Sequence, residues 1–377
     1  MAEYYRNPYG SRGHDSSRRR SFWMILADTF MWVLTVTAVI AMTIIFAGRF
    51  ISPERMWYFS LLGLVAPVVY ITVVLTMLYW IVRWRWSAVL LAGIFVMLGL
   101  FHMPMYYKLD LTKQYGEPAY DRSSIKVLTF NVRYMQSDTR KSTIDSVTRL
   151  VRSLNPDIVC FQEFPLDRDV RRRIASKMVG YNAAGTDSRQ MECFTKFPIG
   201  PSREIEGFGE RATCFCTDIY INDDTVRVYN AHLQTTSVTS DDKDYISNVQ
   251  FISDSTREKR FIHIARGLKA NNTARAHQAE AIRREIAECP YPVILCGDFN
   301  DVPVSYAYRT ASRGLHDTFS RGGHMYAHTY RGFFDALRID YIFVSTRFET
   351  LSYDVIPTGD ISDHYPVIAR IKQTSKQ

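Results

Sequence analysis

A layered α/β domain behind a membrane-embedded helical third is the fold class this sequence predicts. Three observations predict it. Long apolar runs crowd residues 22–107, short strand-like runs alternate with helical stretches from Ile125 onward, and polar residues recur where those runs end. The 377 residues allow a membrane segment and one domain of about 250 residues.

Residues 1–21 form a basic leader with Arg6, Arg12, Arg18, Arg19 and Arg20. Three apolar runs follow, at 22–47, 56–82 and 86–107. Each exceeds the roughly 20 residues that a helix needs to cross the hydrocarbon core. Trp23, Trp57, Tyr58, Trp80, Trp84, Trp86, Tyr106 and Tyr107 lie near the run ends, where amphipathic rings prefer the headgroup level. The first run is too long for a signal-peptide core. Pro67 is expected to kink the second run, and Asp28, about two turns into the first, to reach for the interface. The second connection carries Arg83 and Arg85 without an acid, whereas the first balances Arg49 and Arg55 with Glu54. The positive-inside rule then places the N-terminus in the cytoplasm and, after three crossings, the C-terminal domain outside it. The expectation is a multi-pass integral membrane protein that meets the lipid bilayer through three helices. Three spans without an inverted half disfavour a transporter.

Net charge is +8, with eleven Lys/Arg against seven Asp/Glu in residues 1–121. The remainder is only mildly basic, unlike the concentrated basic face of a duplex binder. The six cysteines form no CxxC pair, which argues against a common zinc site. Cys160 and Cys296 lie inside apolar runs and read as small core residues.

Residues 108–123 are polar, contain Gly116 and Pro118, and read as a linker. The domain at 124–374 opens with the strand IKVLTFNVR. Ile144, Val147, Leu150, Val151 and Leu154 then recur at helical spacing, up to Pro156. DIVCFQE reads as a buried strand, and CFCTDIYI and VRVYNAHL as a hairpin turning at Asn222–Asp223–Asp224. A polar stretch at 235–274 reads as a surface insertion or a loop bordering a cleft. ARAHQAEAIRREIAEC is a helix, and YPVILCGDFN, IDYIFVS and YPVIARI are strands. The mixture indicates layered α/β architecture.

Polar residues end the apolar strands: Asn131, Glu163, His232, Asp298 with Asn300, and Asp340, while Asp363 and His364 precede YPVI. Groups at strand ends can converge on one rim of a sheet. Carboxylate and amide oxygens suit Mg²⁺ or Mn²⁺, and a neighbouring imidazole can serve as base or phosphate contact. GxSxG and a Walker A sequence are absent, which disfavours serine hydrolysis and nucleotide-driven transfer.

Together the segments FNVR, CFQE, YNAHLQ, CGDFND, RIDYIFV and SDHYPV resemble, in order, the endonuclease/exonuclease/phosphatase (deoxyribonuclease-I-like) superfamily. GDFND and SDHYPV are the most specific of them. The resemblance spans the whole C-terminal domain and implies a four-layer αββα sandwich, two stacked β-sheets flanked by helices. It implies hydrolysis of a phosphodiester or phosphomonoester by water, with a divalent cofactor, Mg²⁺ or Mn²⁺. By resemblance, Glu163 is the principal metal ligand, Asn131 lies beside it and Asp363 at its edge. Asp298 and Asn300 bind or orient phosphate, water or a second metal, and His232 contacts phosphate. Asp340 orients His364, a base or transition-state stabiliser. Which of Asp298 and His364 activates water stays open. Arg133 stands where apurinic endonucleases carry an acid, which weakens a DNA-repair reading. Lipid head groups and nucleic acid are the two substrate classes implied. The rival is a non-catalytic binding or scaffold protein that keeps the fold.

Overall fold

The apolar alternation of the C-terminal two-thirds folds into two six-stranded sheets, seen in a computed structural model that describes residues 21–108, 123–185, 190–209, 212–236, 254–332 and 335–374. The first sheet joins β2 (Ser124–Asn131), β3 (Ile158–Gln162), β4 (Asn182–Gly185), β5 (Met191–Thr195), β13 (Phe348–Val355) and β14 (Val367–Gln373) in the order β13-β14-β2-β3-β5-β4. The second joins β6 (Ile199–Glu204), β7 (Thr213–Ile221), β8 (Asp224–His232), β9 (Val293–Asp298), β10 (Leu315–Asp317) and β12 (Asp340–Ser345) in the order β10-β12-β9-β8-β7-β6. Between the sheets lies a core that includes Val127, Ile158, Cys160, Phe215, Val228, Ile294, Cys296, Ile342 and Val367.

Helices cover the outer faces. Val147 and Val151 of α6 (Ile144–Leu154) and Ile174 of α7 (Arg168–Lys177) pack on Leu128, Phe130 and Phe161 of the first sheet. Ala279 and Ile282 of α8 (Asp254–Glu288) and Tyr308 of α9 (Tyr306–Ala311) pack on Tyr229, Leu295 and Phe343 of the second. Central strands are therefore covered on both faces, which is why VLTF, IVCF and VILC read as continuous apolar runs. This is the αββα sandwich. The insertion expected at 235–274 is helical from Asp254 onward, and Asn272, Arg275 and Gln278 of that helix are buried. Residues 237–253 lie outside those described. All six cysteines are free, and Cys160 and Cys296 are core residues as expected.

Strand direction aligns the ends. β2 and β3 run parallel, as do β8 and β9, with His232 opposite Asp298. β12 runs antiparallel to β9 and begins at Asp340, opposite Asp298. Gly297 makes the β8–β9 approach possible: it has φ +146°, and a Cβ there would lie 1.8 Å from the carbonyl oxygen of Ala231.

The N-terminal third differs from expectation. Among the described residues, α1 (Phe22–Gly48) is the one helix long and apolar enough to cross a membrane. After a short α2 (Pro53–Met56), the second run breaks into α3 (Tyr58–Gly63) and α4 (Ala66–Val82). Pro67, which lacks a backbone N–H, begins α4 instead of kinking a longer helix. The third run yields α5 (Trp86–Leu100), then a 3₁₀ turn at Met103–Met105 and the short strand β1 (Tyr107–Lys108). At 1.5 Å per residue, the 17 residues of α4 and the 15 of α5 span about 26 and 23 Å, short of the roughly 30 Å core. The three-crossing count and the multi-pass orientation built on it are corrected accordingly. Asp28 is paired within the helical segment: Arg83 donates to it from Nε (2.8 Å) and Nη2 (2.9 Å), and Tyr79 from its hydroxyl (2.7 Å). The leader at 1–20 and the linker at 109–122 lie outside the described residues, while Lys108 belongs to β1.

Gly297→Ala should lower stability by at least about 3 kcal/mol, because neither backbone can yield. A chemical-denaturation midpoint close to wild type would contradict the close approach.

Candidate active site

The strand ends bring the chemistry-bearing residues to one rim. Asn131 ends β2, and its Nδ2 donates to Asp298 Oδ2 at the end of β9 (3.0 Å), so one contact joins the two sheets. His232 Nε2 lies 3.7 Å from Asp298 Oδ2 and 3.9 Å from Glu163 Oε1. His364 Nε2 lies 3.7 Å from the same Asp298 oxygen, and its Nδ1 is 2.9 Å from Asp340 Oδ2. The Asn300 backbone N–H donates to Asp298 Oδ1 (2.8 Å), while its Nδ2 donates to the Leu233 carbonyl (3.2 Å). Asp363 stands farther out, its Oδ2 3.8 Å from Arg133 Nε. All eight residues singled out in the sequence thus fall along one rim, with Asp363 at its margin.

Other residues hold this set in place and were not singled out. Ser362 donates to the Asn131 carbonyl (2.8 Å) and accepts the His364 N–H (3.2 Å). Thr329 Oγ1 accepts the N–H groups of Ile339 (3.0 Å) and Asp340 (3.1 Å). Gln162 Nε2 donates to Asn230 Oδ1 (2.7 Å), a second tie between the sheets. Gln162 and Asn230 sit within otherwise apolar strands, and that break in pattern was the available signal. The Tyr330 ring lies 5.0 Å from the His364 ring. Glu163 and Asn300 hold left-handed backbone, with φ of +49° and +50°, a conformation uncommon for residues other than glycine.

Electrostatics separate the inner pair from the margin. Burial pushes the Asp340 carboxyl up, the His364 cation opposes that, and Asp298 adds to it, leaving Asp340 at about 6. Burial alone would lower the His364 ring, but Asp340 and Asp298 outweigh it and raise the ring to about 10. His364 is therefore an imidazolium at neutral pH, facing an ionised Asp340.

The donor set fits a hard divalent ion. Oxygens of Asp298 and Asp340 lie within 4.8 Å of each other beside the His364 cation, and among the described residues the buried Asp340 Oδ1 and His232 Nε2 have no hydrogen-bond partner. Carboxylate oxygens dominate, and Glu163 adds another beside His232.

Comparison with known proteins agrees with the architecture. The profile of the Endonuclease/Exonuclease/phosphatase family matches residues 128–364, more than half of the chain, and the chain belongs to that family. It is accordingly a hydrolase of the phosphoesterase and nuclease class. A second profile, described only as a domain of unknown function, matches residues 28–106. No curated protein matches the chain. Among solved structures, a family protein from Bacteroides thetaiotaomicron is 19% identical, with a TM-score of 0.50 over 68% of this chain and 100% of that one. One from Bacteroides vulgatus is 17% identical, with a TM-score of 0.50 over 67% and 100%. D. rerio TDP2, complexed with a single-strand DNA product, is 14% identical, with a TM-score of 0.51 over 67% and 100%. At these identities the likeness is one of fold.

In protein stripped of metal by chelator, His364 should remain protonated at pH 8. The stability it contributes is full below about pH 6.5 and fades as pH rises through about 10. A ¹⁵N-resolved titration of the ring with a midpoint near 6.5 would show that the two carboxylates do not hold its proton.

Proposed function

We propose that the chain hydrolyses a phosphodiester or phosphomonoester by direct attack of water, with Mg²⁺ or Mn²⁺ as cofactor, and that α1 anchors it to a bilayer. The observation that carries this reading is the unbroken series Glu163, His232, Asp298, His364 and Asp340, each within 4 Å of the next. Glu163 is the principal ligand in this reading, with Asn131 beside it and Asp363 at the edge. Asp340 and His364 already hydrogen-bond each other, so ligating an ion through that pair would break the bond that orients the ring. We therefore place the ion towards Glu163 and Asp298. When bound, it neutralises the non-bridging phosphate oxygens.

The chain's own groups supply the rest. The Asp298 carboxylate is fixed by Asn131 and by the Asn300 N–H, so it can orient a water or take its proton. The His364 imidazolium, held by Asp340, places positive charge where a pentavalent phosphorus would build negative charge. His232 contributes a further ring nitrogen to a phosphate oxygen, and Asn300 fixes the loop on which it sits. The αL backbone at Glu163 turns its carboxylate towards His232. An apolar anchor raises local concentration at a lipid surface, which favours lipid phosphoesters as one substrate class; single-strand nucleic acid is the other.

Full-length protein assayed on bis(4-nitrophenyl) phosphate should be active with Mg²⁺ or Mn²⁺ and inactive in EDTA. His364→Ala and Glu163→Ala should each lower kcat by about 10²- to 10⁴-fold. Sphingomyelin, inositol phosphates and single-strand oligonucleotides assayed in parallel would identify the ester. Chelator-insensitive hydrolysis defeats the metal requirement. A biological phenotype that survives both substitutions would instead mark a binding protein that keeps the fold.

A further inference from the structure

We infer that the N-terminal helical segment is a positioning part of the active site, acting on the loop that carries Asn300 and Asp301. This rests on the phosphoesterase reading above. The loop leaves β9 at Asp298 and ends at Ser305, whose side chain caps α9. One side of it serves the site, through Asn300 on Asp298 and on the Leu233 carbonyl. On the other side, Val302 and Val304 are only 2% and 4% exposed, because Ile45 of α1 and Ala66 of α4 cover them, with Phe46, Leu62, Leu64 and Tyr106 around the rim of the contact.

Gly63, the last residue of α3, seals this seat. A Cβ there would lie 3.3 Å from Cγ2 of both Val302 and Val304. Since even a methyl group would crowd both valines, the two surfaces meet at van der Waals distance. Only Asp301 separates Val302 from Asn300, and that residue is itself tied down. Its carbonyl accepts the Tyr341 hydroxyl (2.9 Å), and its carboxylate faces Arg275 Nε (3.5 Å).

Further contacts stop the helical segment from swinging away. Arg309, on the α9 side, lies 4.2 Å over the Phe50 ring, and Glu54 is 3.6 Å from His277 of α8. The buried Arg338 guanidinium donates from Nη2 to the Met105 carbonyl (2.7 Å) and to Asp317 (2.8 Å). β1 pairs with β11 (Met325–Tyr326), placing Tyr107 opposite Tyr326. The seat therefore has fixed register on α8, α9, β11 and the loop before β12. A displacement of the α1–α3 end towards the domain presses on the Val302–Val304 face and, two residues on through Asp301, on Asn300. Misplacing a reacting group by about 1 Å can cost 10²-fold in rate, so this packing is tight enough to matter for chemistry.

The test uses the full-length chain in detergent. Gly63→Val should lower kcat on bis(4-nitrophenyl) phosphate by about 10- to 100-fold with KM little changed, and should speed amide exchange across residues 299–305. Val304→Ala in the same chain removes one of the two methyls that the wedge strikes, and the double variant should regain part of the lost kcat and of the exchange protection. Should Gly63→Val not fold, Ile45→Ala loosens the same seat from the helix side and should shift both readouts in the same direction. Leu75→Ala, on the outward face of α4, is the control and should shift neither. If the seat variants leave kcat and the exchange of 299–305 at wild-type values, or if Val304→Ala rescues nothing, the inference is overturned. If the wild-type chain hydrolyses no phosphoester while the exchange coupling and its rescue persist, the seat stands and the phosphoesterase reading alone fails.

Discussion

The site depends on side-chain ties between the sheets, among them Asn131 to Asp298, Gln162 to Asn230 and His364 to Asp340. Neither sheet alone carries the full set. Asn131, Glu163 and His364 belong to the strand ends of one, and His232, Asp298 and Asp340 to those of the other. Sliding one sheet past the other would separate the groups while leaving most of the apolar core satisfied, since hydrophobic contact has little directionality. Hydrogen bonds between buried polar side chains have direction, and a register error would leave them unpaired in a low-dielectric interior. The polar ties thus select one alignment out of several that the core would accept.

That alignment also divides the site into an inner and an outer part. The His364–Asp340 pair is shielded from water, so its charges act at close range and little screened. Asp363 and Arg133 sit where solvent reaches them, and their 3.8 Å pairing is correspondingly weak. Ser362 spans the two parts, holding the Asn131 carbonyl and the His364 backbone together. Arg133 places a cation against Asp363, so the outer rim carries charge that water screens.

Run patterning made the layered α/β architecture and the eight polar strand ends legible for a simple reason, while the sandwich itself came from the family resemblance. Strands covered on both faces are written as unbroken apolar runs, and a hydrophilic residue at the end of such a run stands out. Gln162 and Asn230 escaped because an amide inside a run gives no indication of which layer it faces. Thr329 and Ser362 escaped because they act through backbone groups that only the folded loops bring near. The helical third misled for the opposite reason. Hydropathy reports composition but not continuity, and a glycine and a proline four residues apart, Gly63 and Pro67, were enough to divide one apolar run into separate helices. The long helix from Asp254 was hidden because its sequence is polar, and even the buried Asn272 and Arg275 read as the composition of a loop.

The left-handed backbone at Glu163 and Asn300 bears on how such a protein could be altered. Glycine would sit at both positions without steric objection, and a search guided by folding stability alone would drift towards it. Such a search would arrive at a hardier sandwich stripped of a carboxylate and an amide from its rim. Robustness and competence therefore pull these two positions in opposite directions, and a thermostable relative that keeps both side chains would have to find its extra stability elsewhere in the molecule.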